Sequence, residues 1–345
     1  MWTEFISEYG MFLAKLGTVV VFILFIISVA FYLYMRAKSG IEEHLEVKNI
    51  NRKYEQLGLM LNSSMLPRQQ FKRVVKEIKA KHKARDRESK GGNGRHRVFV
   101  LNFKGDIRAS HVTSLREEIS ALLTVANDKD EVLVVLESGG GTVHGYGLAA
   151  SQLQRIRDRG IKLTVAVDKV AASGGYMMAC VADRIIAAPF AVIGSIGVLA
   201  QMPNFYRFLK KHDIDFEQLS AGQYKRTLSL FGENTREDRE RMQQELEDTH
   251  TLFKQFVKDN RPGVDIEKIA TGEHWYGTRA LELKLIDEVM TSDDYLLAQS
   301  KAADLYEVRY TARKNVSERL ASAVQSALEA TLVTWWPRTE HRRAM

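Results

Sequence analysis

Near the amino terminus the apolar positions merge into one uncharged stretch, LGTVVVFILFIISVAFYLYM, 20 residues from Leu16 to Met35. As a helix it would extend about 30 Å, one hydrocarbon thickness. The pattern predicts a single-pass membrane anchor over 16–35, with residues 1–15 as its flank. Tyr32 and Tyr34 would lie at the lipid–water interface. A cleaved signal peptide would need a basic start, a shorter apolar region and a small-residue cleavage site. Here Glu4 and Glu8 precede the run and Arg36-Ala37-Lys38 follows it. The first 14 residues contain no Lys or Arg, whereas Arg36, Lys38, Lys48, Arg52 and Lys53 follow closely. The positive-inside rule then predicts a cytoplasmic body.

Further along, residues 41–88 show Leu, Ile and Val at loose helical spacing and predict a polar helix. Gly91-Gly92-Asn93-Gly94 ends that pattern and marks a boundary, so that 36–94 reads as a linker. Strands are predicted at 97–107, 131–137, 162–168 and 184–188. Helices are predicted at 110–126 and 144–158, with a short one starting at Ser173. The run EVLVVLE at 131–137 is continuously apolar, as in a strand buried on both faces. Strand–helix alternation of this kind predicts an α/β fold with a mainly parallel sheet. A second uncharged stretch, 185–206, invites a second span. Its Pro189, Gly194, Gly197 and Pro203 favour buried strands and loops instead. A long helix at 235–260 follows. A helix at 316–333, within a tail at 291–345, repeats Val316, Leu320, Val324, Leu328 and Leu332 along one face. That face suits either self-association or packing on the chain's own body.

Charge and cysteine content narrow the classes. Between Lys72 and Arg97 there are 11 Lys or Arg against 3 Asp or Glu, a local +8 that exceeds the net +7 of the whole chain. The basicity therefore belongs to the linker, as in a solvated segment near anionic headgroups. A nucleic-acid surface would spread basic residues over a folded face or interleave them with aromatics, and only Phe71 borders this run. No nucleic-acid partner is expected. Cys180 is the only cysteine, so no intrachain disulfide can form.

Three spots could carry chemistry. Glu137-Ser138-Gly139-Gly140-Gly141 follows the predicted buried strand, where open α/β sheets bind ligands. Its glycines let the backbone approach a substrate and direct N–H groups at it. A flexible strand-to-helix turn would look the same. A phosphate loop is disfavoured because no Gly-Lys-Ser/Thr follows. Ala171-Ala172-Ser173-Gly174-Gly175-Tyr176 places Ser173 at a helix start, where free N–H groups favour an oxyanion; an ordinary serine cap is the alternative. Gly222-Gln223-Tyr224-Lys225 contains a lysine that, taken alone, reads as a solvated charge.

Together these spots, with Ile193-Gly194-Ser195-Ile196-Gly197-Val198 and the segment Thr271-Gly272-Glu273-His274-Trp275-Tyr276-Gly277, resemble the signal peptide peptidase A family of serine proteases. Within it they are most similar to the SohB-type inner-membrane branch. The likeness covers about residues 97–290, and the spacing of 52 from Ser173 to Lys225 suits it. The resemblance implies a crotonase-like and Clp-protease-like fold for a protease domain at 95–290. It implies Ser173 as nucleophile, Lys225 as general base, Gly140 and Gly174 as oxyanion donors, and Ser195 as the hydroxyl orienting Lys225. It further implies a homo-oligomer in which the dyad can be completed across a subunit boundary. Family members with domains outside the inner membrane leave the periplasmic side open, against the charge count. Two departures stand out: Gly139 replaces a common proline, and Lys284 replaces a common glycine before Leu285-Ile286-Asp287.

On this reading the protein is a membrane-anchored serine endopeptidase acting on apolar or unfolded peptides such as signal-peptide remnants. It needs no metal and no cofactor. Three rivals are a Ser–His–Asp protease using His111 or His144, a crotonase acting on acyl-CoA, and a non-catalytic membrane scaffold.

Overall fold

The computed structural model describes residue 15 and residues 17–27, 43–90, 95–222 and 228–312. Contacts divide the chain into two units, Leu45–Tyr310 and Met1–His44 with Thr311–Met345. In the second unit, residues 17–27 are helical. Residue 16 and residues 28–35 of the expected anchor lie outside the described residues. Among the described residues, no helix is long and apolar enough to cross a membrane.

The first unit is built on a seven-stranded sheet. In chain order its strands are β1 (Glu43–Asn49), β2 (Arg97–Lys104), β3 (Glu131–Glu137), β4 (Lys162–Val167), β6 (Arg184–Ala187), β9 (Glu288–Val289) and β10 (Asp304–Ala312). Their spatial order is β1-β10-β2-β3-β4-β6-β9. Every pairing from β10 through β9 is parallel. A smaller sheet holds β5 (Val170–Ala172), β7 (Val192–Gly194) and β8 (His274–Tyr276); β5 and β7 are parallel, and β8 runs antiparallel to β7.

Strand alternation loads both faces of the main sheet. Phe99, Leu101, Phe103, Val132, Val134 and Leu136 enter one core. There the helix Val112–Leu123 contributes Leu115, Ile119 and Leu122, and the helix Val143–Arg157 contributes Tyr146, Leu153 and Ile156. Val98, Val100, Leu133, Ala166 and Ile186 enter the opposite core with Ile50, Tyr295 and Leu296. The result is the three-layer α/β arrangement expected of a parallel sheet.

Several expectations are met and others corrected. The stretch 185–206 is not a helix; it carries β6, a turn around Pro189, β7 and an irregular segment. Its two strands are largely buried, but Phe190, Leu199, Met202 and Phe205 are exposed. The predicted helix over 41–88 is instead β1 followed by two helices, Ile50–Met65 and Arg68–Lys90. Pro67 explains the break: Leu66 before it is extended, with φ −101° and ψ 143°, because proline disfavours the helical region for its predecessor. Asn51, buried on the sheet, donates to Ser300 O and Ala303 O and accepts from Leu305 N–H. These bonds fasten the amino-terminal helix beside β10. The expected protease range 95–290 lies inside the compact unit, with these elements added at its ends. Residues 292–312 form a helix and β10, while the helix expected at 316–333 lies outside the described residues.

Candidate active site

The site lies beyond the carboxyl end of β3, where the two sheets meet. Ser138 N–H donates to Val170 O at 2.8 Å and Ser138 O accepts from Ala172 N–H at 3.0 Å, so the end of β3 is stitched to β5. One residue on, Ser173 has φ 52° and ψ −120°. That is a sparsely populated conformation for a residue with a Cβ, of the kind found at functional turns. Its N–H donates to Gly194 O at 2.7 Å, which fixes the turn against β7. The helix Gly174–Ala179 starts immediately afterwards, and Ser173 makes no side-chain capping bond. The ordinary-cap reading of Ser173 is therefore not what this geometry provides.

The glycine turn packs directly onto Ser173. A Cβ placed on Gly140, whose φ is +88°, would come within 2.7 Å of Gly174 N and 2.8 Å of Ser173 Cβ. Only glycine suits both the conformation and the space. Gly140 N–H donates to Ser138 Oγ at 3.0 Å, so this expected oxyanion donor is already engaged. Among the described residues, no hydrogen-bond partner meets the N–H groups of Gly139, Gly141 or Gly174. The partly exposed Ser173 thus lies against a glycine turn and a helix start whose Gly139, Gly141 and Gly174 N–H groups have no partner among the described residues.

Beside this turn lies a buried polar chain that the sequence did not reveal. Ser138 Oγ and Tyr146 Oη are 2.5 Å apart, and Tyr146 donates to Asp106 O at 2.8 Å. Burial pushes the Tyr146 phenol above its usual pKa, which keeps it neutral. A serine after a strand was visible in Glu137-Ser138; its partner Tyr146, on the next helix, belongs to no motif.

Ser195 has φ 52°, and its N–H donates to Glu273 O at 2.7 Å. Trp275 on β8 covers Gly194: a Cβ there would meet the indole at 2.9 Å. Gly194 pairs with His274. The Thr271–Gly277 segment therefore supports the backbone that carries Ser195. Gly222 is described with φ +102°, but residues 223–227 are not, and Lys225 lies outside the described residues.

The histidine rivals find no supporting contact. The His111 ring stacks on Phe103, and its Nδ1 accepts from Lys104 N–H at 3.2 Å. Burial lowers its pKa, as does Arg309. His144 is exposed on the first turn of its helix. Neither hydrogen-bonds Ser173. Among the described residues, no cluster of His, Cys, Asp and Glu could hold a metal ion.

The parallel-rich α/β sheet fits a Clp-protease-like fold, and the comparisons give the class as a peptidase. Two family models match: "Peptidase family S49 N-terminal" over residues 4–153 and "Peptidase family S49" over residues 155–308. A protein named "Probable protease SohB" from Haemophilus influenzae is 49% identical over 338 residues, covering 95% of this chain and 96% of its own. A protein of the same name from Buchnera aphidicola of Acyrthosiphon pisum is 48% identical over 326 residues, covering 94% and 96%. The chain belongs to peptidase family S49.

Proposed function

We propose that this peptidase is a serine endopeptidase in which Ser173 attacks the scissile carbonyl and Lys225 is the general base. The observation that carries the reading is the Ser173 turn, strained, uncapped and covered by the Gly140 turn with unpaired N–H groups nearby. A serine is a poor nucleophile until a base accepts its proton. Lysine serves only when neutral, and bringing a lysine from a pKa of about 10.4 to near 7 costs about 4.6 kcal/mol. Desolvation in an apolar groove supplies shifts of that size.

In the proposed cycle, neutral Lys225 takes the Ser173 proton as Oγ bonds to the carbonyl carbon. The charge on the former carbonyl oxygen is met by Gly174 N–H and by the Gly140 turn. Because Gly140 N–H serves Ser138, the donors from that turn are its neighbours. The protonated lysine then gives its proton to the leaving amine. Water, deprotonated by the same lysine, hydrolyses the acyl-enzyme. Ser195 orients Lys225.

The proposal includes residues 16–35 as an anchor in the inner membrane, supported by their uncharged sequence. It places the body on the cytoplasmic side by the positive-inside rule. Apolar or unfolded peptides, such as signal-peptide remnants, are the substrate class, and a homo-oligomer is the working form.

Peptide cleavage by Ser173→Ala, Lys225→Ala and the double variant tests the dyad. Residues acting as one unit lose activity together, so the double variant should be little worse than either single. Near-wild-type cleavage by Ser173→Ala or Lys225→Ala would refute it.

A further inference from the structure

We infer that Tyr146 and Ser138 form a positioning relay that sets the spacing between the glycine turn and the Ser173 helix start. The inference rests on the reading of Ser173 as nucleophile and adds to it two residues that do not touch the substrate.

The direction of every bond in the relay follows from its last acceptor. Asp106 O is a carbonyl and only accepts. Tyr146 O–H therefore donates to it at 2.8 Å. The Tyr146 proton being used, the 2.5 Å contact with Ser138 has Ser138 Oγ–H donating to the phenol oxygen. Ser138 Oγ then has lone pairs free, and one accepts from Gly140 N–H at 3.0 Å. The chain runs from Gly140 through Ser138 and Tyr146 to Asp106 with each donor used once. Tyr146 is fully buried and Ser138 is 2% exposed, so their mutual bond is shielded from water and costly to leave unmade, while the bonds at the Gly140 and Asp106 ends are partly buried.

The same tyrosine touches the other half of the site. A Cβ on Gly174 would fall 2.4 Å from Tyr146 Cγ, and one on Gly175 would fall 2.5 Å from Ser138 O. A Cβ on Gly105 would fall 2.3 Å from both Ser138 Oγ and Tyr146 Oη. Gly105 and Gly174 thus leave room for the phenol, and Gly175 leaves room for the Ser138 carbonyl. Its ring abuts the start of the nucleophile helix, while its hydroxyl, through Ser138, holds Gly140. Packing alone would be served by phenylalanine; the hydroxyl is what reaches the turn.

Tyr146→Phe and Ser138→Ala in the full-length chain test this, with kcat and KM for a peptide substrate and Ki for a peptide boronic acid. The boronate forms a tetrahedral adduct whose oxygen calls on the same donors as the transition state. Misplacing oxyanion donors should lower kcat about 10- to 100-fold, somewhat less than deleting one donor outright. KM should change little, and Ki should rise by the same factor as kcat falls. Wild-type kcat in both variants, or a loss confined to KM, would overturn the relay. Tyr146→Phe removes one oxygen and keeps the ring, so it decides the matter if Ser138→Ala does not fold. Ser173→Ala runs alongside. If it loses cleavage while the relay variants keep wild-type kcat, the relay alone fails. If it cleaves normally, the nucleophile and the relay fall together.

Discussion

Ser173 and Ser195 leave two paired parallel strands at the same level. Ala172 on β5 is in register with Gly194 on β7, and the serine following each takes φ 52°. Ser173 N–H closes onto Gly194 O at 2.7 Å, so the bend of one strand is tied to the end of the other. The strained turn of the proposed nucleophile and the residue proposed to orient the base thus follow neighbouring strands of one small sheet.

Strain at Ser173 gives a stability prediction opposite in sign to the activity prediction. An L-residue held in such a region costs about 1–3 kcal/mol, and glycine in its place costs about 0.5–1 kcal/mol in chain entropy. Ser173→Gly should therefore be more stable by about 1 kcal/mol, or about 2–4 °C in a domain of this size, while losing cleavage. Thermal melting beside a peptide assay checks both. A lower melting temperature would contradict the strained turn.

Trp275 tests the support under Ser195. It is half-buried and covers Gly194. Trp275→Ala should cost about 2 kcal/mol, less than a fully buried tryptophan, and should lower cleavage well below the level set by the folded fraction. Urea melts and kcat measured on one preparation separate the two effects. Cleavage that tracks the folded fraction would leave Trp275 with a packing role only.

Stability should carry a signature from Glu118. Its carboxyl is buried on the helix Val112–Leu123 and accepts from Tyr310 N–H at 2.8 Å, with Oε2 unpaired among the described residues. Burial raises its pKa to about 6 from 4.5. Because the folded value lies above the unfolded one, the native state binds the extra proton between them. Its stabilising effect is complete below pH 4.5 and is lost as pH rises through 6, an effect of about 2 kcal/mol. Glu118→Gln should melt higher than wild type at pH 7.5, with the gap closing towards pH 4.5. A gap independent of pH would contradict this.

How much of this was legible depends on sequence distance. The Gly139–Gly141 turn and the Ser173 turn could be read because each is a strand end followed by glycines within a few residues. The Ser138–Tyr146–Asp106 chain could not, since a tyrosine at helical spacing reads as core and its acceptor lies 40 positions away. Leu45, Val47 and their neighbours looked like a polar helix because the strand they form is at the sheet edge beside β10, over 250 residues later. The arrangement of Lys225 rests on its motif alone, because residues 223–227 fall outside the described residues.

The strands in 185–206 bear on topology. Ser173 precedes this stretch and Lys225 follows it, so a span there would separate nucleophile and base by about 30 Å, against the roughly 3 Å that proton transfer needs. Topology reporters fused after residues 175 and 230 should report the same side of the membrane. Opposite sides would rule out the dyad.

The central claim is that Ser173 is the nucleophile and Lys225 activates it. Full-length protein treated with a fluorophosphonate should gain one adduct, and peptide mapping by mass spectrometry should place it on Ser173. Lys225→Arg should be labelled far more slowly, since a guanidinium stays protonated and cannot accept the proton. An adduct on another residue, or labelling of Lys225→Arg at the wild-type rate, would contradict the account.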